Sequence, residues 1–114
     1  MTRPTSRLLD REELERQLGD LPGVRHEPGT GLVVELRAPS FPEAIRLVQL
    51  VADDAEQLDH HPDIDVRWRT VRFALTTHSA GGVTQLDVEL AHLVLRSGED
   101  VGAEVLTDGH PAQP

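Results

Sequence analysis

The chain has 114 residues, 38% of them hydrophobic and 27% charged, with a formal charge of −9, which is one domain's worth of sequence with a modest core. It holds no cysteine and no tyrosine, and all eleven basic residues are arginine. These absences exclude disulfides, thiolate nucleophiles, cysteine-ligated zinc, Schiff-base lysines and lysine-dependent phosphate loops. The acidic balance disfavours direct nucleic-acid binding. No apolar run approaches the length of a membrane span. The opening MTRPTSRLLDREELERQLG lacks a signal-peptide pattern, so a cytoplasmic location is expected.

Residues 1–7 read as a loose start. A short helix is predicted from Asp10: Asp10 and Glu13 resemble a capping box, acids fill the first turn, Leu14 and Leu18 share a face, and Gly19 is a plausible stop. A strand from Val24 to Glu27, the turn Pro28-Gly29-Thr30-Gly31 and a strand from Leu32 to Arg37 make a hairpin. Beyond Pro39, residues Ala44, Leu47, Val48, Val51, Ala55 and Leu58 recur at steps of three and four. That stripe predicts a helix with Ser40 as N-cap and Pro42 in its first turn, ended before Pro62.

Residues 64–77 predict a second hairpin. Ile64, Val66 and Trp68 alternate, then Val71, Phe73 and Leu75 alternate with the opposite parity, which puts the reversal at Arg69-Thr70 and assigns Trp68 to the core. Thr84, with Asp87 three residues on, opens a third helix whose apolar face is Leu86, Leu90 and Leu93. The predicted domain is residues 1–96. Residues 97–114 carry four acids and no arginine and read as an acidic, disordered tail. The order α-β-β-α-β-β-α predicts an α+β domain, a four-stranded antiparallel sheet with helices on one face.

The chemistry gathers around the second hairpin. His60 and His61 close the long helix, and His78 ends the last strand. An antiparallel return brings His78 back beside the His60-His61-Pro62 turn, with Glu56 and Asp59 nearby. Three imidazoles with acidic neighbours fit a zinc site with an open position or metal-free proton transfer near neutral pH. The structural alternative is histidines that favour the negative end of a helix dipole. Adjacent histidines point in different directions, which favours proton transfer over a shared metal.

The spacing Glu56-x3-His60-His61-Pro62-x5-Trp68-x9-His78-x8-Asp87, followed through TTHSAGGVTQLDVELA, resembles the signature of the pterin-4a-carbinolamine dehydratases over roughly residues 20–95. The resemblance implies dehydration of a 4a-hydroxytetrahydropterin to the quinonoid dihydropterin, with no metal or organic cofactor, on a four-stranded α+β fold. By the same resemblance His60 and His78 form the proton-transfer pair and His61 holds the pterin. Glu56 and Asp59 orient imidazoles or accept pterin N–H bonds, and Thr77 and Ser79 flank His78 as ligand contacts. Asp87 matches the signature too, although its capping position is a sufficient structural reason for it. The sequence departs from the family where many members have tryptophan after glycine (here Gly23-Val24), at Leu36, Ala38 and Leu47 in place of phenylalanines, and at Leu86 in place of a basic residue. The implied partners are a small pterin and further copies of the chain, as a homodimer or homotetramer, without nucleic acid or membrane. Two alternatives stand beside the enzyme: a pterin-binding or dimerisation-cofactor-like interaction module without this activity, and a three-histidine metal hydrolase.

Overall fold

The computed structural model describes residues 7–107. Helix α1 (Arg11–Leu18) is followed by strands β1 (Arg25–Glu27) and β2 (Gly31–Arg37), then helix α2 (Phe41–Leu58). Strands β3 (Asp63–Arg67) and β4 (Thr70–Leu75), a 3-10 turn (His78–Ala80), helix α3 (Gln85–Asp100) and strand β5 (Glu104–Leu106) complete the chain. The expected α+β order therefore holds, and a short fifth strand extends it.

All strand pairs are antiparallel, in the order β1-β2-β4-β3, with β5 added beside the second half of β2. Period-two patterning decides the faces. Leu32, Val34 and Leu36 of β2 and Val71, Phe73 and Leu75 of β4 point into the core, where Ala44, Leu47, Val51 and Ala55 of α2 and Val88, Leu90, Ala91 and Val94 of α3 cover them. The opposite face carries charge. Arg25 pairs with Glu27 (2.9 Å) and Glu35 (3.2 Å), Arg72 reaches Glu27 (3.3 Å), and Arg37 reaches Glu104 (2.9 Å). Partial burial works against the Arg25 cation, but its two carboxylate partners outweigh that and hold its pKa above the ordinary arginine value.

The helix starts follow their local signals. Asp10 accepts from Glu13 N–H at 2.9 Å and Ser40 from Glu43 N–H at 3.3 Å, and Thr84 and Asp87 form a complete capping box. At α1 only half of the box forms, because the Glu13 carboxylate turns to Arg16 (2.7 Å) instead. A reciprocal amide pair, Gln17 with Gln85 (2.6 and 3.1 Å), fastens α1 to the first turn of α3.

Three expectations are corrected. Trp68 is not core: it is 52% exposed, in the two-residue turn between β3 and β4, with φ 54°. The strand alternation stops at Arg67, and the tight reversal begins one residue earlier than the parity slip indicates. In α3 the buried residues are Asp87, Val88, Leu90, Ala91, Val94, Ser97 and Gly98, while Leu86 and Leu93 are half-buried. Residues 97–106 are not a loose tail. Ser97 and Gly98 are buried in α3, Val101 is buried, and Glu104–Leu106 pair with β2 through Leu36↔Val105. Glycine is needed at 98 because a Cβ there would overlap Leu36 Cδ2. Residues 1–6 and 108–114 lie outside the described residues.

The ordered C-terminal strand has a measurable consequence. Leu106 is 3% exposed, so Leu106→Ala should cost about 2 kcal/mol of stability through the lost side chain and its cavity. Urea or thermal unfolding of the variant reads this, and an unchanged midpoint would restore the disordered tail.

Candidate active site

The site begins with the way α2 ends. Asp59 takes a left-handed conformation (φ 51°), and His60 N–H bonds back to Ala55 O at 3.0 Å, a Schellman-type closure in which the left-handed residue turns the chain sharply. His60 thereby swings under the end of the sheet while His61 stays outside. Asp59 contributes to the site through this backbone turn.

Beneath it lies a buried carboxylate. Asp87 is fully buried, with both oxygens engaged. Its Oδ2 accepts from Thr84 N–H (2.9 Å) and from the Thr77 hydroxyl (2.8 Å), and its Oδ1 meets His60 Nε2 at 2.5 Å. The proton directions follow from the donor inventory. The Thr84 N–H can only donate, so Asp87 acts there as an acceptor. The Thr77 proton goes to Asp87, so in the Thr77–Thr84 hydroxyl pair (2.8 Å) Thr84 donates to Thr77, while Thr84 Oγ1 accepts from Leu86 N–H (3.3 Å). With Asp87 Oδ1 as the acceptor, the contact puts a His60 proton on Nε2 and turns Nδ1 away from the carboxylate. His60 keeps 11% side-chain exposure.

Thr77 is also the hinge to the next feature. Its N–H donates to Gly82 O (2.9 Å) and its carbonyl accepts from Ala80 and Gly81 N–H (3.0 Å each). These bonds close the loop His78–Gly81 and present the exposed His78 on its outer side. There a cleft of about 620 Å³ opens, walled by the β1–β2 turn, by Asp63 and Thr76 at the sheet end, and by Gly81, Gly82 and Val83. Gly29 and Gly81 have positive φ (83° and 80°), and a Cβ on either would meet no other described atom within 4 Å. Both line the cleft with backbone alone.

The histidines divide in two ways that the sequence does not reveal. His78 lines the cleft, and the imidazole that shares the cleft with it is His26 on β1. His60 is held behind, on Asp87, and His61 stands outside, bonded to Glu56 at 2.8 Å with both side chains largely exposed. The structure thus places Glu56 against His61 and brings neither to the cleft lining. Thr77, expected beside the ligand, is turned inward and its hydroxyl is committed to Asp87. Ser79 is exposed on the 3-10 turn and does not line the cleft. Sequence reasoning misses His26, Asp63 and Thr76, because the β2–β4 register (Leu32↔Leu75) that carries the first hairpin to the end of β4 is a long-range pairing. Local spacing also presents Asp87 as a cap alone. Two turns of helical spacing from Asp87 to Val94 place Asp87 on the buried face, and that is the signal in the sequence that points to its second role. Among the described residues no three His, Asp or Glu side chains are grouped to hold a metal ion, and no helix is long and apolar enough to cross a membrane.

Comparison with known proteins places this architecture. Residues 7–96 match the family model for pterin 4 alpha carbinolamine dehydratase. A Nocardia farcinica protein with the provisional name pterin-4-alpha-carbinolamine dehydratase is 49% identical over 90 residues, 79% of this chain and 94% of that one. A Mycobacterium avium protein with the same provisional name is 50% identical over 84 residues, 74% of this chain and 88% of its own. A crystal structure from Brucella melitensis, described as a transcriptional coactivator/pterin dehydratase, superposes with a TM-score of 0.75 at 30% identity, covering 78% of this chain and 96% of that one. With sequence match, relatives and fold agreeing over the same stretch that carries the buried carboxylate and the cleft, the chain belongs to the pterin 4 alpha carbinolamine dehydratase family.

Proposed function

We propose that this chain removes water from a 4a-hydroxytetrahydropterin by histidine proton transfer, supporting tetrahydropterin recycling. The observation that carries the proposal is the buried Asp87 carboxylate, which meets His60 Nε2 at 2.5 Å and the hydroxyl of Thr77, the residue before the cleft-lining His78, at 2.8 Å. The reaction breaks the C4a–O bond. The N5 lone pair forms the C4a=N5 double bond, the N5–H proton is lost, and the leaving hydroxyl gains a proton to depart as water. One group must give a proton and another must take one, which imidazoles do near neutral pH.

The assignment of roles follows from the hydrogen bonds. Asp87 holds the Nε2 proton of His60, so its Nδ1 is the basic nitrogen, and the carboxylate stabilises the imidazolium formed when Nδ1 takes the N5 proton. His78, on the open side of the cleft, protonates the leaving hydroxyl. His61 with Glu56 holds the pterin from the outer rim, and Asp63 and Thr76 offer polar atoms to its ring edge. This ordering of donors needs no tautomer change between turnovers. Assembly into a homo-oligomer is supported by the outer edge of β3, which no strand pairs among the described residues, and by the exposed Phe41 and Ile45 one turn apart on α2. A cytoplasmic site of action is supported by the composition that excludes disulfides.

Two experiments test the proposal. Dehydration of a 4a-hydroxytetrahydropterin, followed by absorbance with and without chelator, should be accelerated equally in both. His78→Ala and His60→Ala should each lower kcat by about 10²–10⁴-fold with an unchanged circular dichroism spectrum. A near-parental rate in His60→Ala together with a loss in His26→Ala would move the second proton to His26.

Asp87→Asn should lose activity and stability together. Its amide NH2 would face either the His60 or the Thr84 donor, costing about 1–3 kcal/mol and lowering Tm by roughly 4–8 °C per kcal/mol. A variant that keeps both Tm and kcat would remove Asp87 from the mechanism.

A further inference from the structure

The cleft continues past His26. His26, Pro28 and Val83 also line a second cavity of about 420 Å³, walled further by Leu8, Leu9 and Leu14, with Arg11 at its edge. The wall is built rather than incidental. Leu9 N–H donates to Val83 O at 3.0 Å, and Leu8 forms a bridge with Thr84, so the Leu8–Leu9 strap is tied to the segment that feeds the capping box. Gly82 permits this approach, since a Cβ there would lie 3.0 Å from Leu8 Cδ2. Leu8 itself is 49% exposed although it is large and apolar, an arrangement that leaves apolar surface facing the annex.

The two chambers differ in chemistry. The cleft offers His26, His78, Asp63 and Thr76 with bare glycine backbone, which suits a polar heterocycle. The annex offers mainly leucine, valine and proline, and the Arg11 at its edge is almost fully exposed and shares Glu15 at 3.4 Å, so the surface it presents to a ligand is chiefly apolar. A chain of formal charge −9 disfavours an anionic group there. We propose that the annex is a second subsite of the cleft, taking an uncharged apolar substituent carried by the pterin ring, with His26 at the junction of the two. The inference rests on the dehydratase proposal for the cleft and adds the class of substrate that the cleft prefers.

The test compares kcat/KM for 4a-hydroxytetrahydropterins bearing methyl or phenyl at C6, in the parent chain and in Leu8→Ser and Leu8→Ala. The parent should favour the phenyl substrate, and Leu8→Ser should cut that preference about fivefold with the methyl substrate unaffected and Tm unchanged. An unaltered preference in both variants, with both substrates turned over, would overturn the subsite while leaving the dehydratase proposal standing. If the folded parent turns over neither substrate, the dehydratase proposal falls. Equilibrium binding of 6-phenyl against 6-methyl dihydropterin then decides the annex by the same Leu8 ratio. A preference that varies with protein concentration would place a second copy over the annex and overturn the proposal.

Discussion

The constraint on which this molecule turns is the burial of one carboxylate. An ionised side chain with no exposure is tolerated only when its lone pairs are filled by donors, and Asp87 fills them with three: a backbone N–H, a threonine hydroxyl and an imidazole. Each donor belongs to a different piece of the fold. The Thr84 amide is the start of α3, Thr77 follows β4, and His60 follows α2. One acid thus ties the origin of a helix, the end of a strand and the end of another helix to a common point. Removing it would strand three donors at once, so the interaction that holds the fold together here is also the one that holds His60. The capping box that makes Asp87 look like a purely local device is the part of this arrangement that short-range spacing can report.

What sequence could and could not report divides along that line. Helix starts, the α2 stripe and the two hairpins are local patterns, set by capping residues and by periods of 3.6 and 2, and they emerge as expected at Asp10, Ser40 and Thr84. Acidic, glycine-containing composition after Ser97 reads as unstructured because no pattern of its own demands order. Its order comes from a distant partner: β2 runs on past the end of β1, Val105 lies opposite Leu36, and Gly98 lets Leu36 approach the helix. Trp68 fails for a different reason. Alternation extrapolates one residue too far, and nothing in the apolar character of a tryptophan announces a turn that requires positive φ.

The site shows the same division at finer scale. The histidine spacing locates His60, His61 and His78 near one sheet end, yet spacing is silent on direction. The left-handed Asp59 sends His60 inward and leaves His61 outside, and the bonded Thr77 turns inward while its neighbour His78 faces the cleft. His26 enters only through strand register. Adjacent residues in this chain therefore differ in surroundings, His60 and Thr77 bonded to the buried carboxylate and His61 and His78 exposed.

The poverty of aromatic residues acquires a physical account from the backbone. The chain has three phenylalanine and tryptophan side chains, and none of them lines the cleft. Its lining combines His26, His78, Asp63 and Thr76 with four glycines. Gly31 has φ 119°, and a Cβ on it would collide with the carbonyl oxygen of Leu75, so only glycine lets the first hairpin close on the end of β4. Gly29 and Gly81 line the cleft without a side chain, and a Cβ on Gly82 would come within 3.0 Å of Leu8 Cδ2. Peptide planes are flat, polar and rigidly placed, which are the properties a flat heterocycle with N–H and C=O edges requires of its surroundings. Val24 in place of a tryptophan is compatible with this construction: it is buried in the hydrophobic cluster and does not line the cleft.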